Sequence, residues 1–235
     1  MHRASGIHAT LSVMSVGTLL GSARSTAPPL GSCRFCEKLA GDGPVNTNWT
    51  VVAETDHLVG VPSVGPLVPG WLLALPREHH LNFAEVIGHN PGVDCELAGL
   101  AKRWEKLFGP LTWFEHGPKE AGSDVGCSID HAHMHLVPLA EMNLVSAAEV
   151  HLEAIRFASI ETFSDIQDAI RCDRSYLYIR LPDGTQWLAP SDSIPSQSLR
   201  RAIAIEQGRA DEWDWNDSPG QDLLTDTIAR ATSLR

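Results

Sequence analysis

Basic residues are scarce in this 235-residue chain: 18 Lys and Arg stand against 29 Asp and Glu, a formal charge of −11. That balance disfavours tracking along DNA or RNA, where phosphate contacts dominate affinity, so no nucleic-acid polymer is expected as a partner. A small anionic molecule is still admissible, because local donors rather than net charge hold it. Nor does the chain contain the run of about 18 apolar residues that a membrane-spanning helix needs. Cysteine is sparse as well: there are five, an odd number without framework spacing, which argues against a disulfide-stapled secreted domain. Residues 1–30 hold a weakly apolar stretch, Ala9 to Leu20, broken by Ser12, Ser15, Gly17 and Thr18. We expect a disordered or mis-started leader there rather than a secretion signal, and a cytoplasmic protein.

Against these absences stands one dense feature, Asp130-His131-Ala132-His133-Met134-His135-Leu136-Val137-Pro138. In an extended strand, side chains at i, i+2 and i+4 share a face. The three imidazoles would then line one wall, with Ala132, Met134 and Leu136 packed behind them. Three histidines on one face of an apolar run fit either metal binding or acid–base and nucleophilic chemistry. A polar strand on a solvated sheet fits poorly, because the alternating positions are apolar.

Cys33-Arg34-Phe35-Cys36 is a C-x-x-C, which taken alone is a redox pair, half of a zinc site, or two uncommitted thiols. A thioredoxin-like motif should follow a strand, whereas Pro28-Pro29-Leu30-Gly31-Ser32 precedes this one. A closed tetrahedral zinc site would need two further ligands, which His79 or His80 and a histidine of the 131–135 row could supply.

Taken together and in this order, these residues resemble the histidine triad (HIT) superfamily of nucleotide hydrolases and transferases. The resemblance runs from about 33 to 139. It rests on Cys33-x-x-Cys36, Glu54-Thr55-Asp56, the segment Leu73-Ala74-Leu75-Pro76-Arg77-Glu78-His79, the lead-in Gly126-Cys127-Ser128-Ile129-Asp130, and His131, His133 and His135. The resemblance implies that His133 is the nucleophile, attacking phosphorus to give a nucleotidyl-histidine intermediate. It implies that His135 contacts phosphate oxygens or the leaving group, and that Ser128 hydrogen-bonds the phosphate or leaving group. By likeness to zinc-bearing relatives, including the galactose-1-phosphate uridylyltransferase branch, it implies a structural zinc on Cys33, Cys36, His79 and His131. The implied activity is hydrolysis or transfer at a substituted nucleoside α-phosphate, in a dinucleoside polyphosphate or a nucleoside phosphoramidate or phosphodiester. The alternatives are a phosphorylase or nucleotidyltransferase using phosphate or a sugar phosphate as acceptor, and a zinc-stabilised nucleotide-binding module without catalysis. A small-molecule nucleotide is the expected partner, and a homodimer is compatible with the family.

Three positions depart from the family pattern. The acidic residue that usually holds the ribose hydroxyls falls near Ser63. Phe114-Glu115-His116-Gly117 replaces the usual Asn-x-Gly. Asp130 stands where an apolar or aromatic residue is common, either to orient a triad imidazole or to face solvent.

The pattern predicts an α+β fold: a HIT-like antiparallel sheet with helices packed on one side over residues 31–145, and a smaller C-terminal α+β subdomain over 146–235. Strands are expected at 49–53, 57–61, 71–75, 111–115 and 129–137, a short helix at 81–87, and an amphipathic helix from Val93 to Phe108. Farther on, Pro182-Asp183-Gly184 marks a hairpin between strands at 176–180 and 185–188. Helices are expected at 147–157, 198–207 and 223–232. Arg200 or Arg201 could reach a phosphate bidentately but is expected on the surface, and Trp213 and Trp215 are expected in the core rather than as a stacking platform.

Overall fold

The computed structural model describes residues 33–41, 49–123, 125, 129–153 and 155–232. The expected leader, 1–30, and Ser128 lie outside the described residues. Eight strands form one antiparallel sheet: β1 (Ala53–Glu54), β2 (Leu58–Pro62), β3 (Leu72–Pro76), β4 (Thr112–Gly117), β5 (Met134–Val137), β6 (Ala158–Ile160), β7 (Tyr176–Arg180) and β8 (Gln186–Pro190). Their order across the sheet is β1-β2-β3-β5-β4-β7-β8-β6. The α+β class and antiparallel sheet expected from the sequence are what the structure shows. Its C-terminal strands join that sheet edge to edge, through five register pairs from Trp113–Arg180 to Gly117–Tyr176. Among the described residues, no helix is long and apolar enough to cross a membrane.

Strand parity sorts the apolar residues between two cores. Leu72, Ala74, Met134 and Leu136 face one side with Phe83, Leu97, Leu100 and Trp104, while Leu73, Leu75, Phe114 and Val137 face the other. The first side is covered by α2 (Phe83–His89) and α3 (Val93–Phe108). Helix α3 carries the expected stripe, and the C-cap Gly109 leaves it at φ +86°, a left-handed conformation that glycine adopts without a Cβ penalty. Burying each large stripe residue is worth about 1.5–3 kcal/mol. Facing the second side are α1 (Arg34–Ala40), α4 (Leu144–His151) and α6 (Ser198–Glu206), whose Phe35, Leu144 and Leu199 join that core. Helices α5 (Ile166–Arg171) and α7 (Gln221–Thr232) complete the first side through Ile166 and Ala231.

Three expected elements shift. The strand expected over 49–53 is reduced to Ala53–Glu54. The strand expected over 129–137 begins at Met134, because Ala132 N–H donates to His80 O (2.6 Å) instead of joining a ladder, and His131 is tied by its side chain to Pro76 O. The helix expected at 147–157 instead spans Leu144–His151. Its start is fixed by Asn143, whose side chain accepts from Ser146 N–H as an N-cap does.

Glu115 of β4 is a buried acid on the helical side. It accepts from Phe83 N–H at the start of α2 (2.9 Å) and from the Tyr176 hydroxyl. Burial raises its pKa from 4.5 to about 8, the hydrogen bonds from Tyr176 and Phe83 opposing the shift. Between those values the folded chain binds more protons than the unfolded one, so this group lowers stability as pH rises through the window. In Glu115→Gln that contribution is lost. Urea titrations from pH 5 to 8 should therefore show the stability of the variant relative to the natural chain improving steadily with pH; parallel curves would refute the assignment.

Candidate active site and metal centre

A cavity of about 390 Å³ opens over the second face of the sheet. His133 and His135 form its floor with Phe114, and Ser63 lines it from the end of β2. Arg34, Lys38 and Trp49 close one side. The C-terminal segment also lines it, through Ser196 to Arg200, Trp215 and Asn216.

Hydrogen bonds fix the tautomer of each triad ring, and His133 differs from the other two. His133 Nδ1–H donates to His131 O at 2.7 Å, which leaves Nε2 as the lone-pair nitrogen of a ring on the cavity wall. His135 Nδ1 accepts from Trp71 Nε1–H at 2.9 Å, so the proton of the neutral ring sits on Nε2, as a donor. His131 Nε2–H donates to Pro76 O at 2.9 Å, turning Nδ1 toward the cysteines. Burial lowers the pKa of all three rings and so favours these neutral forms; at His135 the charges of His133 and Arg200 add to the effect. The rings are wedged as well. Phe35 meets His133 edge-on with centroids 5.6 Å apart, and Phe114 stacks on His135 at 4.4 Å and 8°.

Cys33, Cys36, His79 and His131 converge, their donor atoms all within 4.8 Å of one another. Cys36 Sγ lies 3.3 Å from His79 Nδ1 and 3.5 Å from His131 Nδ1, and Cys33 Sγ lies 3.5 Å from His131 Nδ1. A tetrahedron with metal–nitrogen distances of about 2.0–2.1 Å and metal–sulfur distances of about 2.3 Å has edges of about 3.3–3.8 Å. The three separations match edges of such a tetrahedron, and two cysteines with two histidines are a donor set that suits zinc. Burial, then the neighbouring Cys33, pushes the Cys36 thiol up to about 12, so Cys36 would hold its proton at neutral pH unless a cation replaced it. Of the two upstream histidines the sequence offered, His79 is the one in the cluster. His80 is buried beside Glu78 and Glu85 instead.

Other expectations resolve one by one. Asp130 accepts from Gly122 N–H (2.9 Å) and so braces the preceding loop. Arg200 is not on the surface: it is 7% exposed and lines the cavity, whereas Arg201 is exposed and lies over the Trp213 ring. Trp213 packs on the core, while Trp215 lines the cavity. Sequence reasoning missed Trp71 as the partner of His135, and Lys38 and Trp49 as cavity residues. The parity of Trp71 with Leu73 and Leu75 was the available signal.

Solved structures to which the chain is similar are described as histidine triad proteins. A HIT family hydrolase from Clostridium thermocellum matches over 48% of this chain and 94% of its own, at 21% identity and TM-score 0.39. A HIT family member from Bacillus subtilis matches over 46% and 72%, at 25% identity and TM-score 0.37. A zinc-bound histidine triad family protein from Mycobacterium smegmatis covers 88% of this chain and 100% of its own, at 13% identity and TM-score 0.28. No family model matches the sequence, and no curated protein does.

Proposed function

We propose that this chain is a nucleotidyl hydrolase or transferase acting at a substituted nucleoside α-phosphate through His133. The observation that carries this reading is the tautomer lock, with Nδ1–H of His133 pinned to a backbone carbonyl and the ring on the cavity wall. The Nε2 lone pair forms an N–P bond as the P–O bond to the leaving group breaks, and the electron pair departs on that oxygen. His135 Nε2–H hydrogen-bonds the oxygen on which charge develops. Water, or a second acceptor, then forms a new bond to phosphorus. The N–P electrons return to Nε2, and the proton released by the acceptor passes to solvent or to the departed group. Ser128 would serve as a further donor to the phosphate or leaving group. The rings of Phe35 and Trp49, 5.8 Å apart beside Lys38, offer an apolar seat for a base. Ser63 stands where a ribose-binding acid is usual, leaving a hydroxyl in place of a carboxylate.

Cys33, Cys36, His79 and His131 would hold zinc, two thiolates and two imidazoles being a typical structural donor set. Bound there, the ion supplies cross-linking rather than reaction chemistry, since four protein ligands leave no open position. The Pro76 carbonyl orients the His131 ring toward it.

Rapid quenching with a nucleotide labelled at the α-phosphate tests the chemistry. One acid-labile nucleotidyl adduct per chain, mapped to His133, is expected during turnover. Turnover with no adduct, or with the label on another residue, would reject the mechanism.

A further inference from the structure

In a chain of net charge −11, the cavity is lined by three cations, Arg34, Lys38 and Arg200, and among the described residues by no carboxylate. The cations come from two helices. Arg34 and Lys38 belong to α1 beside Trp49 and Phe35, where a nucleoside would sit. Arg200 comes from α6, beyond the stretch that resembles the HIT pattern. It is joined to the triad through Trp71: its guanidinium lies 5.1 Å over that ring, and Trp71 in turn bonds His135. A chain of contacts therefore runs Phe35, His133, His135, Trp71, Arg200, with Trp71 buried behind the cavity lining.

Arg200 is also unusual in how it is held. Nε donates to Trp213 O and Nη2 to Gly65 O, which fixes the guanidinium plane while leaving its charge uncompensated by these partners. Asp214 is the carboxylate whose field reaches it, but burial is the larger influence and lowers its pKa to about 10, so it stays charged. An oriented buried cation at a largely apolar cavity is costly unless an anion occupies that cavity during function. Ser196, Gln197 and Ser198 line the same wall, and Ser196 Oγ and Gln197 Oε1 are buried without a hydrogen-bond partner.

We infer that Arg200 binds a second anionic group on the leaving side of the substrate, so that the preferred substrates carry a phosphate-bearing leaving group on the α-phosphorus rather than a neutral amine or alcohol. The inference rests on the nucleotidyl-transfer reading above. In-line displacement sends the leaving group away from His133, and Arg200, from α6, is the cavity cation that does not belong to α1 beside the proposed base seat. A guanidinium fixed by two carbonyls is preorganised to meet phosphate oxygens there.

The test compares two substrates that share a nucleoside: a dinucleoside tetraphosphate, and the nitrophenyl ester of the nucleoside monophosphate. Their leaving groups have similar basicity, but only the first adds phosphate charge. The ratio of their kcat/KM values should exceed about tenfold in the natural chain. It should fall at least about tenfold in Arg200→Gln, the effect of losing one charge-assisted hydrogen bond, and recover in part in Arg200→Lys. A ratio near one in the natural chain overturns the inference even if the variants fail to fold. So does a folded Arg200→Gln in which both substrates slow equally, which would make Arg200 a scaffold or an α-phosphate ligand. If the ester is hydrolysed and the tetraphosphate is not, the inference falls and the nucleotidyl-transfer reading stands. If neither compound is turned over and no adduct forms, that reading falls and takes the inference with it.

Discussion

His133→Ala should lower turnover by at least about 10⁴-fold, the scale on which removal of a covalent nucleophile is felt, while melting temperature and metal content stay near those of the natural chain. The ring is not part of the metal cluster. Its polar anchor is the carbonyl two residues before it, and its main ring neighbours are Phe35 and His135. The deletion therefore vacates cavity wall rather than core. His135→Ala should be milder, about 10²–10⁴-fold, because it removes a proton donor to the reacting group and not the reacting atom. His133→Gly supplied with free imidazole sharpens the comparison: partial recovery is expected, since the small molecule can occupy the vacated space with the same lone pair. Unimpaired turnover in His133→Ala would reject the assignment outright.

How much of this was legible in the sequence depends on the range of the interaction. The alternation of His131, His133 and His135 with Ala132, Met134 and Leu136 is local, and the parity read from it matches the structure: the apolar set joins the helical core and the histidines face the other way. The meeting of Cys33, Cys36, His79 and His131 spans nearly a hundred residues and became legible through the family resemblance, not through spacing. What stayed hidden depends on register or docking. Trp71 reaches His135 because Leu73 pairs with His135 across β3 and β5, which sets Trp71 diagonally beside it, and no linear pattern states a register. The start of β5 at Met134 was hidden for a related reason, since the Ala132 amide is taken by His80 O from another segment. Arg200 read as a surface residue because a helix pattern alone does not say what packs above it. Its burial follows from the return of residues 213–220 across the 65–70 loop, where Gly65 N–H donates to Pro219 O (2.9 Å). At Gly65, φ +64°, a Cβ would come within 2.7 Å of Ser218 O, so the contact that buries Arg200 needs the one residue without a side chain.

Loss of the metal should have the second large effect, on stability rather than on chemistry. The four ligands tie together three segments that are far apart in sequence: the start of α1, the turn after β3, and the approach to β5. Helix α1 is only seven residues long and its N-cap Cys33 makes no side-chain capping bond, so its own propensity holds it weakly. It nevertheless carries Arg34, Phe35 and Lys38 into the cavity. Without a cation the Cys36 thiol keeps its proton, and the remaining sulfur to imidazole contacts of 3.3–3.5 Å are weak bonds. We expect chelation or Cys36→Ser to reduce bound zinc from one ion per chain to a trace. The unfolding free energy should fall by about 3 kcal/mol, a melting-temperature loss of about 6–12 °C for a chain of this size. Because α1 forms one wall of the cavity and Phe35 packs against both His131 and His133, KM should rise more than kcat falls. Metal analysis with calorimetry before and after chelation, followed by zinc restoration, measures all three. A metal-free chain that melts at the same temperature with an unchanged KM would mean that the cluster is a pair of packed thiols beside two histidines, and that β5 and α1 hold the nucleophile in place unaided.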